Sequence, residues 1–197
     1  FTKPKRYLIC GEEQQGKSSL LKHAFKQFLK SEIVPIYLDA KDINQSDITK
    51  SLTAALKSQY VNLELEQFLT LPNKVLLIDD LNEIGLNTKY RASFLSSIND
   101  MFAQVIMTCH SSFSYISPEI QELNDYERHE LLGFGHIKRA ELIEKWVSLG
   151  VEECIDESSL YDQCDEIKAR LDTIIRKNIV PPKPIYMLML LQMFEAY

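Results

Sequence analysis

Short unbroken apolar runs alternate along the chain with longer stretches in which apolar residues recur every three or four positions. Tyr7-Leu8-Ile9-Cys10, Val34-Pro35-Ile36-Tyr37-Leu38 and Val75-Leu76-Leu77-Ile78 are runs of the first kind. Consecutive strand side chains point to opposite faces, so an unbroken apolar run describes a strand covered on both sides. The pattern predicts strands at 7–10, 34–39, 74–79, 103–109 and 130–134, with helices near 17–30, 46–60, 89–101 and 137–149. Strands alternating with helices predict a parallel sheet covered by helices. Asn44-Gln45-Ser46-Asp47 offers caps for the second helix, and Gly150 a stop for the fourth. After about residue 152 only helical patterns remain, near 157–177 and 184–196, separated by Val180-Pro181-Pro182-Lys183-Pro184. The expected organisation is a sheet domain over 1–151 and a small helical lid over 152–197.

The turn between the first strand and first helix carries the strongest chemical signal. Residues 11 to 18 read Gly-Glu-Glu-Gln-Gln-Gly-Lys-Ser. A loop between strand and helix can wrap a phosphate chain with its own N–H groups, and glycines at its ends leave room for that wrap. Gly11 and Gly16 stand at those two places. Lys17 can reach β- and γ-phosphates, Ser18 can offer a hydroxyl to Mg²⁺, and the helix start adds partial positive charge. The intervening Glu12, Glu13, Gln14 and Gln15, and Ser19 after the motif, complete the candidate phosphate-binding segment.

Lys74-Val75-Leu76-Leu77-Ile78-Asp79-Asp80 ends an apolar strand in carboxylates about sixty residues later. An acid fixed at a neighbouring strand tip can hold the Mg²⁺ that bridges phosphates, and Asp79 is the candidate. Asp80 and Glu83 both qualify as the acid that orients an attacking water, and the sequence does not separate them. Gln104-Val105-Ile106-Met107-Thr108-Cys109-His110 also ends in polar groups. Ligands in open α/β sheets bind at the carboxyl ends of strands, which makes Thr108 and His110 candidates for contacting the γ-phosphate or the water.

Composition narrows the remaining classes. At 197 residues, 45% hydrophobic and 25% charged, the chain can bury one sizeable core with an appended lobe. A net charge of −6 argues against a broad surface for nucleic-acid backbones. No apolar run approaches the roughly 20 residues that span a bilayer, and the N-terminal residues do not form a signal peptide, so the chain reads as cytoplasmic. The start at Phe1 suggests a domain of a longer protein. Cys10, Cys109, Cys154 and Cys164 stand apart without a Cys-x-x-Cys pair and read as reduced thiols. No Asn-Lys-x-Asp run of the kind that reads guanine is present, which tilts the expected base toward adenine.

Together, Gly11 to Ser18, Asp79-Asp80-Leu81-Asn82-Glu83 and Thr108-Cys109-His110 resemble the STAND class of P-loop NTPases, the NACHT-like group that neighbours the AAA+ ATPases. The resemblance covers nearly the whole chain. It implies a three-layer α/β sandwich with a five-stranded parallel sheet and a helical lid, binding ATP or ADP with Mg²⁺. The NACHT pattern after the metal-binding aspartate reads Gly-Leu-Asp-Glu; Leu81 and Glu83 match it, whereas Asp80 and Asn82 depart. That likeness favours Glu83 as the water-orienting acid, and one to AAA+ proteins favours Asp80. Thr108-Cys109-His110 stands where the family ends its sensor strand Thr-Ser-Arg. Glu130-Leu131-Leu132-Gly133-Phe134 and the helix containing Lys145-Trp146-Val147 resemble the passage into the lid. Lys183-Pro184-Ile185-Tyr186 is similar to the lid motif whose proline packs near adenine, and Pro184 suits that place because it opens a helix with fixed φ.

The resemblance implies a switch in which ADP holds the lid closed and ATP permits homo-oligomer assembly. Sensor and effector domains would lie outside this chain, turnover would be slow, and bacterial relatives would point to antiphage defence. An AAA+ motor or loader acting on protein or nucleic acid is the alternative, with Arg91, Arg128 and Arg139 as candidates for an arginine acting in trans. A non-hydrolysing module stabilised by its nucleotide is the third reading.

Overall fold

The computed structural model describes residues 5–113, 120–149, 156–177 and 179–196. Five strands form one parallel sheet: β1 Lys5–Gly11, β2 Val34–Asp39, β3 Lys74–Asp79, β4 Gln104–His110 and β5 Glu127–Glu130, in the order β2-β3-β4-β1-β5. The helices are α1 Lys17–Lys30, α2 Ile48–Gln59, α3 Leu65–Thr70, α4 Thr88–Met101, α5 His136–Val147, α6 Glu157–Arg176 and α7 Pro184–Ala196.

The apolar runs are explained by two cores. Val75 and Leu77 of β3 pack with Leu21 of α1, while Leu76 and Ile78 join a larger cluster with Phe68, Phe94, Leu95 and Phe102. Both faces of β3 are therefore dry. Local signals set the helix starts: the Asp47 carboxylate accepts from the Thr49 N–H at 3.0 Å, and Asn87 Oδ1 accepts from the Tyr90 N–H at 3.1 Å. Edge strand β2 is closed by side chains of α2. Gln59 accepts from the Tyr37 N–H at 3.0 Å and donates to the Tyr37 carbonyl at 2.7 Å, occupying the place of a neighbouring strand.

Two elements differ from the expectation. The strand expected at 130–134 lies upstream at Glu127–Glu130, pairs with β1, and has all four side chains exposed. A sheet edge facing solvent selects charged residues, so no apolar run marks it. Helix α3 is six residues long, too short for helical periodicity to register. Gly150 and Cys154 lie outside the described residues.

The described chain divides into two compact units. One holds the residues up to Leu131 except Gln14–Gly16; the other holds Gln14–Gly16 and those from Leu132 onward. Helix α5 shares a core with the later helices of the second unit: Ile143 is buried with Leu171, Met187, Leu190 and Leu191. Within this second unit Arg139 is 8% exposed and bonds Asp172 at 2.9 Å, fastening α5 to α6.

Candidate functional site

The loop after β1 is shaped by two residues with left-handed backbone, Gln14 at φ 64° and Gly16 at φ 90°. A Cβ on Gly16 would meet no protein atom within 4 Å. Conformation, in addition to room for a ligand, therefore demands glycine there. Lys17 opens α1, 8% exposed, and its Nζ donates to the carbonyls of Gly11 and Glu12, each at 3.1 Å. Asp80 Oδ1 stands 3.5 Å from the same nitrogen. The ammonium is thus held over its own loop by two carbonyls and a carboxylate. Ser18 is half-buried behind it, and Ser19 is exposed.

Asp79, 3% exposed at the tip of β3, has both carboxylate oxygens engaged by hydroxyls. Thr108 of β4 donates to Oδ1 at 2.6 Å, and Tyr37 of β2 donates to Oδ2 at 2.7 Å. The Thr108 hydroxyl also accepts from the Asp80 N–H at 2.9 Å, so one side chain ties two adjacent acids to the neighbouring strand. Burial first, and then the bond to Asp79, pushes the Tyr37 phenol well above its ordinary pKa of 10.

Asp80 turns the chain out of β3 with φ 50° and ψ 57°. This left-handed region costs a β-carbon residue free energy, least for aspartate and asparagine, and suits glycine. The glycine of the NACHT pattern falls at this position. The following turn, Leu81–Glu83, is fixed by Asn82: its Oδ1 accepts from the His110 N–H at 2.7 Å and its Nδ2 donates to Glu83 Oε1 at 3.0 Å. Glu83 itself is exposed. The His110 ring accepts the Ser112 N–H at Nδ1, 3.1 Å away, which puts the neutral ring's proton on Nε2, 3.5 Å from the Glu12 carboxylate.

The fold thus brings Lys17, Asp79, Asp80, Thr108, His110 and Glu12 to adjoining strand ends and carries Glu83 on the same turn. Pro184 lies in the second unit, where it opens α7. Of the three arginines considered for action in trans, Arg139 is committed to Asp172, whereas Arg128 is exposed on β5. Tyr37 and Ser112 were not among the expected site residues. Tyr37 sits in an otherwise aliphatic run, but only the β2-β3 pairing, in which Asp39 stands opposite Asp79, reveals its target.

A parallel five-stranded sheet with this strand order matches known structures. The fold is that of the P-loop NTPases. Its structural neighbours are AAA+ ATPases. The RuvB Holliday junction branch migration motor of Thermotoga maritima superposes with a TM-score of 0.51 at 11% identity, over 98% of this chain and 61% of that one. AMPPCP-bound DnaA from Aquifex aeolicus gives 0.50 at 13%, over 86% and 56%. Hsp104 with ATPγS and FITC casein, in its closed state, gives 0.55 at 13%, over 85% and 36%. At these identities the likeness is one of fold, and the chain spans about three fifths or less of each of these P-loop chains. No protein-family model matches the sequence, and no curated protein matches it.

Proposed function

We propose that this chain is a nucleotide-binding ATPase domain that holds ATP or ADP on the Gly11–Ser19 loop with Mg²⁺ at Ser18 and Asp79. The observation that carries the reading is the convergence of Lys17, Asp79, Asp80 and Thr108 at adjoining strand ends. These residues fit a magnesium ion: Asp79 is a single buried carboxylate whose oxygens keep lone pairs beyond the two hydroxyl bonds, and Mg²⁺ favours one or two carboxylates, phosphates and retained waters over an all-protein cage. Bound there, the ion would supply positive charge against the phosphates. Lys17 would exchange the loop carbonyls for phosphate oxygens. Thr108 and Tyr37 would keep Asp79 in place, and Glu83, exposed and oriented by Asn82, would position the attacking water. Asp80, paired with Lys17, would hold the lysine before nucleotide arrives. His110, anchored by Ser112, would report on the phosphates through Glu12.

In the finer reading the domain is a STAND-type switch: nucleotide state selects between lid positions through differential affinity, Pro184 packs near the base, and the ATP state assembles with further copies. The glycine-favouring backbone at Asp80, together with Leu81 and Glu83, supports that resemblance. A motor reading draws support from the fold shared with the RuvB branch migration motor.

The test is to denature the purified domain and identify the released nucleotide by chromatography beside Lys17→Ala. Stoichiometric ADP, absent from the variant, is expected of the switch. An empty wild type that turns over added ATP rapidly would favour the motor. No nucleotide and no turnover in either would sink both.

A further inference from the structure

The structure places two thiols against each other directly beneath the phosphate loop. Cys10 of β1 and Cys109 of β4 are register partners on adjacent parallel strands, with their sulfurs 3.3 Å apart. The residues that follow them are Gly11, whose carbonyl holds Lys17, and His110, whose ring faces Glu12. Cys109 is fully buried and Cys10 is partly exposed.

We propose that Cys10 and Cys109 form a redox-modification site that takes a small hydroperoxide and closes to a disulfide across the two strands. The exposed member reacts first. The Cys10 sulfur attacks one peroxide oxygen, the O–O bond breaks, and Cys10 becomes a sulfenic acid while water leaves. The Cys109 sulfur then attacks the Cys10 sulfur, the S–O bond breaks, and a second water departs with the Cys109 proton. Two thiols and one hydrogen peroxide thus give one disulfide and two waters, the thiols oxidised by two electrons and the peroxide reduced by two.

Three features support this assignment. Register pairing holds the strand positions at neighbouring-strand separation, about 4.8 Å, within the range of Cα separations that a disulfide accepts. The sulfurs need to approach by little more than 1 Å to reach a bond of about 2.0 Å, a distance that side-chain rotation supplies. Burial keeps Cys109 away from an oxidant in solution, so that it meets only the sulfenic acid presented by Cys10; burial and the contact with Cys10 also raise its pKa, so its proton must leave as its sulfur attacks. The bridge would fasten the loop's entry to the strand that carries Thr108 and His110.

Peptide mapping of the whole chain after brief hydrogen peroxide treatment, without reductant, tests this. A Cys10–Cys109 linked peptide is expected as the main oxidised product, reversed by dithiothreitol. Cys109→Ala should instead accumulate a sulfenic acid at Cys10 that dimedone captures, and Cys10→Ala should leave Cys109 reduced. Folded wild-type protein that keeps both thiols free, or that bridges mainly through Cys164 or between copies, would overturn the proposal. Because the wild-type mapping needs no substitution, misfolding of either variant leaves the test intact.

Discussion

Strands β3 and β5 lie in one sheet and read nothing alike. β3 is Lys-Val-Leu-Leu-Ile-Asp with both faces covered; β5 is Glu-Arg-His-Glu with every side chain in solvent. In the interior strand alternate residues fill one or the other of two cores, and after Lys74 the next polar residue appears only at the strand's carboxyl end. That residue, Asp79, is therefore both the end of the apolar run and the first residue of the candidate site. The edge strand answers to backbone pairing with β1, to one ring contact between His129 and Tyr7, and to the need to discourage further pairing, which charged residues satisfy. Interior position thus makes a strand and its polar tip legible, whereas edge position leaves both open.

Truncation separates the two strands. Leu77→Ala, at a fully buried position between α1 and the sheet, should cost about 2–5 kcal/mol in urea unfolding, and His129→Ala on β5 no more than about 0.5 kcal/mol. Comparable losses at the two positions would mean that β5 is covered in solution and the contrast is false.

A smaller effect is expected at the tip of β3. Tyr37→Phe removes one of the two hydroxyls on Asp79, a bond to a charged acceptor of about 1.5–3 kcal/mol, while keeping the ring. The proposed ATP turnover should fall about tenfold, and the unfolding midpoint should drop with the lost bond. Thr108→Val, which also releases the Asp80 N–H, should fall further. Turnover unaffected by either would separate Asp79 from the chemistry.

The smallest effect concerns pH. Burial raises the Tyr60 phenol from 10 to about 12, and Tyr37 is raised as well. A pKa higher in the folded than the unfolded state means that the folded chain retains a proton the unfolded chain has lost. The stabilisation is complete below pH 10 and is lost as pH rises toward 12 and beyond. Denaturant midpoints measured at pH 9 and 11 should drop less in Tyr60→Phe than in wild type; equal drops would show that Tyr60 ionises alike in both states.

Much of the candidate site was legible because its residues are contiguous or end an apolar run. Gly11 to Ser18 is a local motif, and Asp79 and Thr108 each stand where strand hydrophobicity stops. Pairings were not legible. Nothing in the sequence says that β2 lies beside β3, and without that neighbour Tyr37 is one more aromatic in a strand. Nor does it say that β1 lies beside β4, which turns Cys10 and Cys109 from separate thiols into a contact of 3.3 Å.

Residue order alone determined the alternation of buried strands and helices, the Gly11–Ser18 loop and the acids at the end of β3, because burial on two faces and a fixed loop spacing leave direct marks on it. Only the tertiary structure decided strand order, the polar edge strand, the left-handed turn at Asp80 and the clamp of Tyr37 and Thr108 on Asp79. Those depend on which elements become neighbours, and the free energy that selects neighbours is spread over the cores and written at no single position.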